Sequence, residues 1–190
     1  MTFRKAESRD AEAIARIYNE AMPPGVYVTP ELQPVTAESR RLWLSELTDP
    51  YGAWVLEAAP GEVVGWCSLR PFAVRPTYPR IAEISAYVTL ARRSGFIGGK
   101  LLACAVHVAR RRGFRSLVSI VSDKNLTSVS GSVAYGFKPA AVVYEGGRLG
   151  GNLENALWLQ KSLLVDDPAP YRKVRDSILR SECADERTYL

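Results

Sequence analysis

The chain has 190 residues, of which 47% are hydrophobic and 24% charged, and its formal net charge is +5. This size and composition suit one compact globular domain and exclude a disordered or fibrous chain. No apolar run approaches the roughly 20 residues that a membrane helix needs, and the first residues lack the apolar stretch of a signal peptide. Cys67, Cys104 and Cys183 are too scattered for a disulfide framework or a zinc site. We therefore expect a cytoplasmic protein without a membrane partner or a bound metal.

In chain order, periodicity and turn residues first predict a strand over residues 2–6, a helix from Ser8 or Asp10 to about 21, a loop over 22–35, and a helix over 36–47 opened by a cap at Thr36. A hairpin of strands 53–58 and 63–69 follows, and then a strand over 81–90, a turn over 94–99 and a helix over 100–112. The last predicted elements are a strand over 116–122, a helix over 125–135, and strands over 138–144 and 155–162. The remainder, from 165, reads as a short surface helix or a loose tail. Without regular strand–helix alternation, this order favours an α+β fold, or a mixed sheet with helices on both faces.

The positive charge leaves two partner classes open. A basic nucleic-acid-binding module is one, but no recognition-helix or RNA-binding signature is present. The densest run, Arg110 to Arg112, ends a predicted helix, where cations favour the helix dipole. A small polyanion suits this distribution as well as DNA does, and because the nucleic-acid-binding signatures are absent we expect no nucleic-acid partner.

The turn over 94–99 is a candidate anion site. It joins a strand to a helix N-terminus, where backbone N–H groups are unpaired and the dipole is positive, and Arg93 adds charge beside it. Glycine-containing turns before helices are common and most bind nothing, so the pattern alone leaves function open.

Glu83 lies inside the apolar strand predicted over 81–90. A carboxylate in a central strand is costly unless it is paired or used. Either Glu83 lies on an exposed strand face, or it is a general base that accepts a proton from an amine, directly or through water. The single histidine, His107, excludes a Ser-His-Asp triad, since its predicted position is in mid-helix.

At this point the sequence resembles the GNAT superfamily of acyl-CoA N-acyltransferases, and within it the phosphinothricin and methionine sulfoximine N-acetyltransferase group. The segments that carry the resemblance are residues 3–6, 13–20, 65–68, 83–88, 112–114, 125–128, 136–137 and 151–160. It implies a domain over 1–163, followed by an extension of unknown role over 164–190. It also implies a twisted mixed sheet, flanked by helices, that opens at its middle to hold acetyl-CoA.

The resemblance implies roles for individual positions. The cofactor positions are the main chain of Tyr87 and Val88, the turn residues Arg93, Ser94, Gly95, Phe96, Ile97 and Gly98, and the channel residues Asn125 and Ser128. Glu83 matches the catalytic carboxylate, and Arg75 and Tyr78 match positions that hold an amino-acid substrate. The implied reaction is direct attack of a neutral amine on the thioester, in a protein that pairs as a homodimer.

Three positions depart from the family pattern. Phe96 stands at a glycine position, which predicts a side chain against the pyrophosphate or a turn rebuilt around Gly95. Ser132, a candidate catalytic residue by position, stands where the family has a Tyr or His that protonates the leaving thiolate. Because serine is a poor acid near neutral pH, either turnover is slow or another group, water or Tyr135, substitutes. Ala73 stands where relatives that take phosphinothricin have lysine, which favours a less anionic acceptor. These departures keep a non-catalytic, ligand-sensing member of the fold as the alternative.

Overall fold

A computed structural model describes residues 1–22, 33–73, 77–93, 96–149 and 152–164. The described strands are β1 (Thr2–Lys5), β2 (Gly52–Glu57), β3 (Val63–Pro71), β4 (Ile81–Val88), β5 (Ser116–Ser122), β6 (Lys138–Leu149) and β7 (Asn152–Ser162). The described α-helices are α1 (Ala11–Asn19), α2 (Ala37–Glu46), α3 (Ile97–Arg111) and α4 (Leu126–Ala134), and short 3-10 helices cover Ser8–Asp10 and Leu90–Arg92. None of the described helices is both long and apolar enough to cross a membrane.

The strands form one sheet in the order β1-β2-β3-β4-β5-β7-β6. Only β4 and β5 are parallel neighbours; the other described pairs are antiparallel. The mixed α+β sheet that the sequence predicts is therefore confirmed.

Helices cover both faces of this sheet. On one face, α1 and α2 enclose a small core to which Ile14, Ile17, Tyr18 and Trp66 belong. On the other face, α3 packs on the larger core, where eight of its residues are buried. Glu83 and Tyr87 lie on the first face and Ile84 on the second, because successive strand residues point to opposite faces.

Three elements, α3, β6 and β7, extend by three or more residues beyond their predicted bounds. Helix α3 begins at Ile97 rather than Lys100, so Gly98 and Gly99 lie in its first turn instead of a preceding loop. Strands β6 and β7 extend into the glycine-rich segment that was expected as a long turn, with an irregular register between Val143 and Gly147. By contrast, the cap predicted at Thr36 is confirmed, since its hydroxyl accepts a hydrogen bond from the Ser39 amide at 3.1 Å.

Candidate active site

The sheet opens between β4 and β5. These strands pair only over Ile81–Glu83 and Ser116–Val118, whereas β3 pairs with β4 as far as Val88. Beyond Glu83, β4 therefore has a free edge on its β5 side, and we call this opening the β4–β5 gap. A sheet that opens at its middle is what the resemblance implies.

Backbone groups of β4 point into the gap at alternate residues. The Thr89 amide donates to the Val64 carbonyl at 3.0 Å, which continues the register in which Gly65 lies opposite Val88. In an antiparallel pair both backbone groups of a residue point to one side and alternate along the strand. Tyr87 therefore directs its main chain to β3, while Ala86 and Val88 direct theirs into the gap. The main-chain cofactor contact that the resemblance implies for Tyr87 is thus not available on the gap side, whereas the one implied for Val88 is.

The N-terminus of α3 lies beside the end of β4. A Cβ atom built on Gly98 would lie 3.9 Å from Val88 Cγ2, so the helix start and the strand end are in close contact. The amides of Ile97, Gly98 and Gly99 have no acceptor within the helix, and the first turn contains no acidic residue. The position is therefore electrostatically suited to an anion.

Phe96 does not cover this helix start. Its φ of −69° is ordinary for an L-residue, and 87% of it is exposed. The loss of a glycine at this position thus causes no backbone strain, and the ring lies in solvent. Ser94 and Gly95 lie outside the described residues.

Glu20 and Arg93 fix the segment that joins β4 to α3. Glu20 Oε2 accepts hydrogen bonds from the Thr89 hydroxyl at 2.8 Å and the Leu90 amide at 2.7 Å. Burial alone would raise the pKa of Glu20, but these hydrogen bonds and one from Arg16 lower it below its ordinary value. Arg93 Nε donates to the Val88 carbonyl at 3.2 Å, and burial lowers the pKa of its guanidinium, against the opposing effect of Glu20.

Glu83 is the last β4 residue before the gap opens. It lies directly opposite Arg70 of β3, and Arg70 Nη2 donates to Glu83 Oε1 at 2.6 Å. The side chains are 43% exposed for Arg70 and 22% for Glu83. Glu83 is therefore both paired with Arg70 and accessible at the gap, where a general base would have to lie.

Next along the same face, two small polar residues are followed by a group of aromatic rings. Ser68 lies opposite Ser85, and its hydroxyl is buried without a hydrogen bond in the described part of the chain. The Trp66 and Tyr87 rings follow, stacked with centroids 4.7 Å apart, and Tyr18 of α1 lies 4.9 Å from Tyr87. Along this face, the residue pair next to Arg70 and Glu83 is therefore small and polar, and the pair after it is aromatic.

Helix α4 borders the gap on the β5 side. Asn125 follows β5 directly, with its amide bonded to the Ser122 carbonyl, and its side chain caps α4 by accepting from the Ser128 amide at 3.2 Å. Ser132 is buried. The half-buried Tyr135 lies against Gly99, where an added Cβ would meet its hydroxyl. Burial, with a smaller contribution from Cys104, raises the pKa of Tyr135.

The structure thus brings most of the candidate cofactor positions to the two edges of one gap. Tyr78 is 47% exposed in the segment before β4, and Arg75 lies outside the described residues. Sequence reasoning gave no role to Arg70 or Glu20. Counting residues across the β3–β4 hairpin could have paired Arg70 with Glu83, but no sequence signal joins Glu20 to Leu90.

Comparison with known proteins identifies the family. Residues 1–138 match the family described as the acetyltransferase (GNAT) domain. A Bacillus subtilis protein, whose name proposes a phosphinothricin acetyltransferase, is 37% identical over 137 residues, which cover 72% of this chain and 83% of that protein. The L-methionine sulfoximine/L-methionine sulfone acetyltransferase of Pseudomonas aeruginosa is 25% identical over 170 residues, covering 89% and 98% of the two chains.

A solved structure shares the architecture. The GNAT superfamily phosphinothricin acetyltransferase of Sinorhizobium meliloti, in complex with AcCoA, superposes with a TM-score of 0.79 at 25% identity. The match covers 88% of this chain and 93% of that one. With the family match over most of its length, the opening in its sheet and the carboxylate at that opening, this chain belongs to the GNAT family of acetyltransferases.

Proposed function

We propose that this enzyme transfers the acetyl group of acetyl-CoA to the amine of a small molecule, an amino acid or an analogue of one. The observation that carries the proposal is the position of Glu83, where the β4–β5 gap begins. A thioester in the gap and an amine beside Glu83 would meet at this point. The names of the relatives, which specify phosphinothricin and methionine sulfoximine, support an acceptor of this kind.

The residues present fit acetyl-CoA. The amide of Val88 would bond the pantetheine arm in place of the missing strand partner, since the Val88 carbonyl already accepts from Arg93 Nε at 3.2 Å. The amides of Ile97 and Gly98, which have no acceptor within the helix, would receive the pyrophosphate, and Arg93 would add positive charge. Asn125 and Ser128, already bonded to each other, would line the opposite wall.

In the reaction, the amine nitrogen forms a bond to the thioester carbonyl carbon and the carbon–sulfur bond breaks. Glu83 takes the proton that the nitrogen loses, directly or through one water molecule. The departing thiolate takes a proton from a second group. Tyr135 suits that role better than Ser132, because a phenol is a stronger acid than an aliphatic hydroxyl and the Tyr135 hydroxyl lies beside the start of α3.

The first experiment is calorimetry of acetyl-CoA binding at two salt concentrations, followed by a thiol-release screen of amino acids and amines. Micromolar binding at both concentrations, with acetylation of an amine, is expected. A closed cleft loses less affinity in salt than a surface that binds nucleic-acid phosphates. Absence of binding at either concentration would refute the proposed function and leave an inherited fold without its cofactor.

We further propose a cytoplasmic homodimer. Strand β6 is an edge strand and exposes Val142, Val143 and Tyr144, of which Tyr144 is 79% exposed. Exposed apolar edge strands are templates for pairing with another chain. Light scattering with a Tyr144→Asp variant tests this, and a monomeric wild-type protein at micromolar concentration would rule it out.

A further inference from the structure

Strand β7 runs past the end of β5 and holds the turn that follows β5. The side chain of Asn155 binds Asp123, the first residue of this turn. The side chain of Glu154 binds Lys124, the second residue. The next residue along the chain is Asn125, the cap of α4 on the β5 side of the gap. Two consecutive residues of β7 thus fix the two residues that lead into α4.

Asn155 makes three hydrogen bonds that fix both its main chain and its side chain. Its carbonyl accepts from the Asp123 amide at 3.2 Å, and its Nδ2 donates to Asp123 Oδ2 at 2.8 Å. Its Oδ1 accepts from the Glu145 amide at 3.1 Å, in the irregular part of β6. Because an N–H donor engages Oδ1, the side-chain amide must direct its Nδ2 to the Asp123 carboxylate.

The Asp123 carboxylate depends on this contact. Its Oδ1 is buried and has no hydrogen bond in the described part of the chain, so Asn155 Nδ2 is the side-chain donor that the structure provides to the carboxylate. A buried carboxylate that loses its donor is costly. Removal of that donor should therefore drive Asp123 toward water, and Asn125 would move with it because only one residue separates them.

Glu154 fixes the second residue of the turn. Its side chain is 2% exposed, and its two carboxylate oxygens lie 2.7 Å and 2.6 Å from Lys124 Nζ. A carboxylate is rarely buried to this degree unless it is paired. The Lys124 side chain is 54% exposed, so the immobile partner of this ion pair is Glu154, within the sheet.

We infer that Asn155 and Glu154 are positioning residues for acetyl-CoA binding. They act through the turn, by holding Asn125 and the start of α4 at the wall of the β4–β5 gap. This inference rests on the proposed acetyl transfer and assigns part of the cofactor wall to β7, a strand that is separated from the gap by β5. Loss of either contact lowers the fraction of molecules in which the wall is in place, and the apparent Kd rises by the same factor.

The test exchanges the two partners of the first contact. Asn155→Asp removes the donor and places a second carboxylate against Asp123. The double variant Asn155→Asp with Asp123→Asn restores one amide and one carboxylate in reversed order. Gln160→Ala is the matched control, since Gln160 is also on β7 and its side-chain amide donates to Ser116 of β5 at 2.9 Å, at the end of β5 away from α4.

We expect Asn155→Asp to raise the acetyl-CoA Kd, measured by calorimetry, and its KM about tenfold, as for a wall in place one time in ten. The kcat at saturating acetyl-CoA and the KM for the amine should stay within about twofold. The double variant should return the Kd to within about threefold of wild type, since contacting residues are not additive. Glu154→Gln should raise the Kd about threefold, and Gln160→Ala should change it less than about twofold.

Amide hydrogen exchange of the protein without acetyl-CoA gives a second measurement. The Ser128 amide donates to Asn125 Oδ1 at 3.2 Å, so its protection reports on the start of α4. In Asn155→Asp it should exchange about tenfold faster, while the Leu56 amide in β2 keeps its wild-type protection. Faster exchange at both amides would overturn the assignment, because it would show a general loss of stability.

An unchanged Kd for Asn155→Asp would also overturn the assignment, as would a raised Kd that the double variant does not restore. If Asn155→Asp does not fold, Glu154→Gln decides by the same measurements, and an unchanged Kd in that variant refutes the inference. Failure of the proposed function looks different, because the wild-type protein itself would then bind no acetyl-CoA, and the inference would fall with it.

Discussion

Glu20, at the end of α1, accepts a hydrogen bond from the Leu90 amide at 2.7 Å. This contact joins residues 70 positions apart and fixes the chain just after β4, where the segment leading to α3 begins. The same carboxylate oxygen accepts from the Thr89 hydroxyl. Helix α1, which contributes no predicted cofactor contact, therefore determines where the β4–α3 segment lies.

Replacing Glu20 should weaken acetyl-CoA binding. We expect Glu20→Gln to raise the Kd about tenfold, because it weakens two charge-assisted hydrogen bonds to this segment. Its kcat at saturating acetyl-CoA should change less, since the reacting groups are untouched. Calorimetry measures the Kd, and Glu12→Gln, an exposed change on the same helix, is the control. An unchanged Kd for Glu20→Gln would show that the segment is held by other contacts.

Glu83→Gln should lower kcat about 10²- to 10⁴-fold, the range for removal of a general base. The amide keeps a hydrogen bond to Arg70 but cannot take a proton. Acetyl-CoA affinity should remain within a factor of about two, because the proposed cofactor contacts on β4 are backbone groups that face the β4–β5 gap and do not involve the Glu83 side chain. Thiol release under saturating conditions measures this, and intact turnover in the variant would disprove the base assignment.

Tyr135→Phe should lower kcat by removing the proton donor to the thiolate, about 10²-fold. Burial raises the Tyr135 pKa above its ordinary value of 10.0, so the hydroxyl stays protonated through neutral pH and is lost only above that value. The wild-type rate should therefore show no loss attributable to this group below pH 10. Ser132→Ala serves as the comparison, and it should leave kcat nearly unchanged if Tyr135 is the donor.

Phe96→Gly restores the residue that the family pattern has at this position. We expect the acetyl-CoA Kd to change by less than about threefold, because the ring is 87% exposed and most exposed substitutions have small effects. Gly99→Ala is the contrasting variant, since its Cβ would lie within 2.1 Å of the Tyr135 hydroxyl and would displace that side chain. A large gain in affinity for Phe96→Gly would mean that the ring obstructs the pyrophosphate.

A buried ion cluster at β1 should make stability depend on pH. Arg4 donates to Asp10 at 2.8 Å and to Glu57 at 2.7 Å. Burial tends to raise the Asp10 pKa, but the bonds from Arg4 and the Glu7 amide lower it below 3.8. The Arg4 bond likewise lowers the Glu57 pKa below 4.5. The ionised Asp10 and Glu57 carboxylates therefore contribute fully to the free energy of unfolding above these ordinary pKa values, and the contributions are lost as the pH falls below them.

Asp10→Asn should therefore lower the free energy of unfolding at pH 7 by about 1.5–3 kcal/mol and flatten its decline below pH 4. Urea unfolding at several pH values measures both effects. Glu38→Gln is the control, because Glu38 is 83% exposed and its loss should change stability by less than about 0.5 kcal/mol. Equal slopes below pH 4 for Asp10→Asn and wild type would contradict the assignment.

The sequence predicts those features that depend on nearby residues. The Thr36 cap, the β2–β3 hairpin and the mixed sheet follow from local pattern, and the structure confirms them. The start of α3 was predicted three residues late, because two glycines usually end a helix pattern, yet here Gly99 is needed for the close approach of Tyr135. The β6–β7 extension was missed for a similar reason, since glycines permit the irregular register that pairing there requires.

The site was predictable at the level of Glu83 but not of its surroundings. An isolated carboxylate in an apolar strand is visible in any sequence, whereas its partner Arg70 becomes visible only once the register of the hairpin is known. The bond from Leu90 to Glu20 and the outward direction of Phe96 depend on tertiary packing. No local pattern contains that information.

The parting of β4 from β5 also has a consequence for how the molecule unfolds. Strands β1–β4 and β5–β7 are joined across the sheet by only three residue pairs. The shortest strand pairing in the described sheet therefore lies at the cofactor cleft. An extended ligand that bonds to both β4 and β5 would take the place of the missing strand pairing between them. The free protein should then exchange its amide hydrogens at Ala86 and Val88 early, and the loaded protein should unfold as a single cooperative unit.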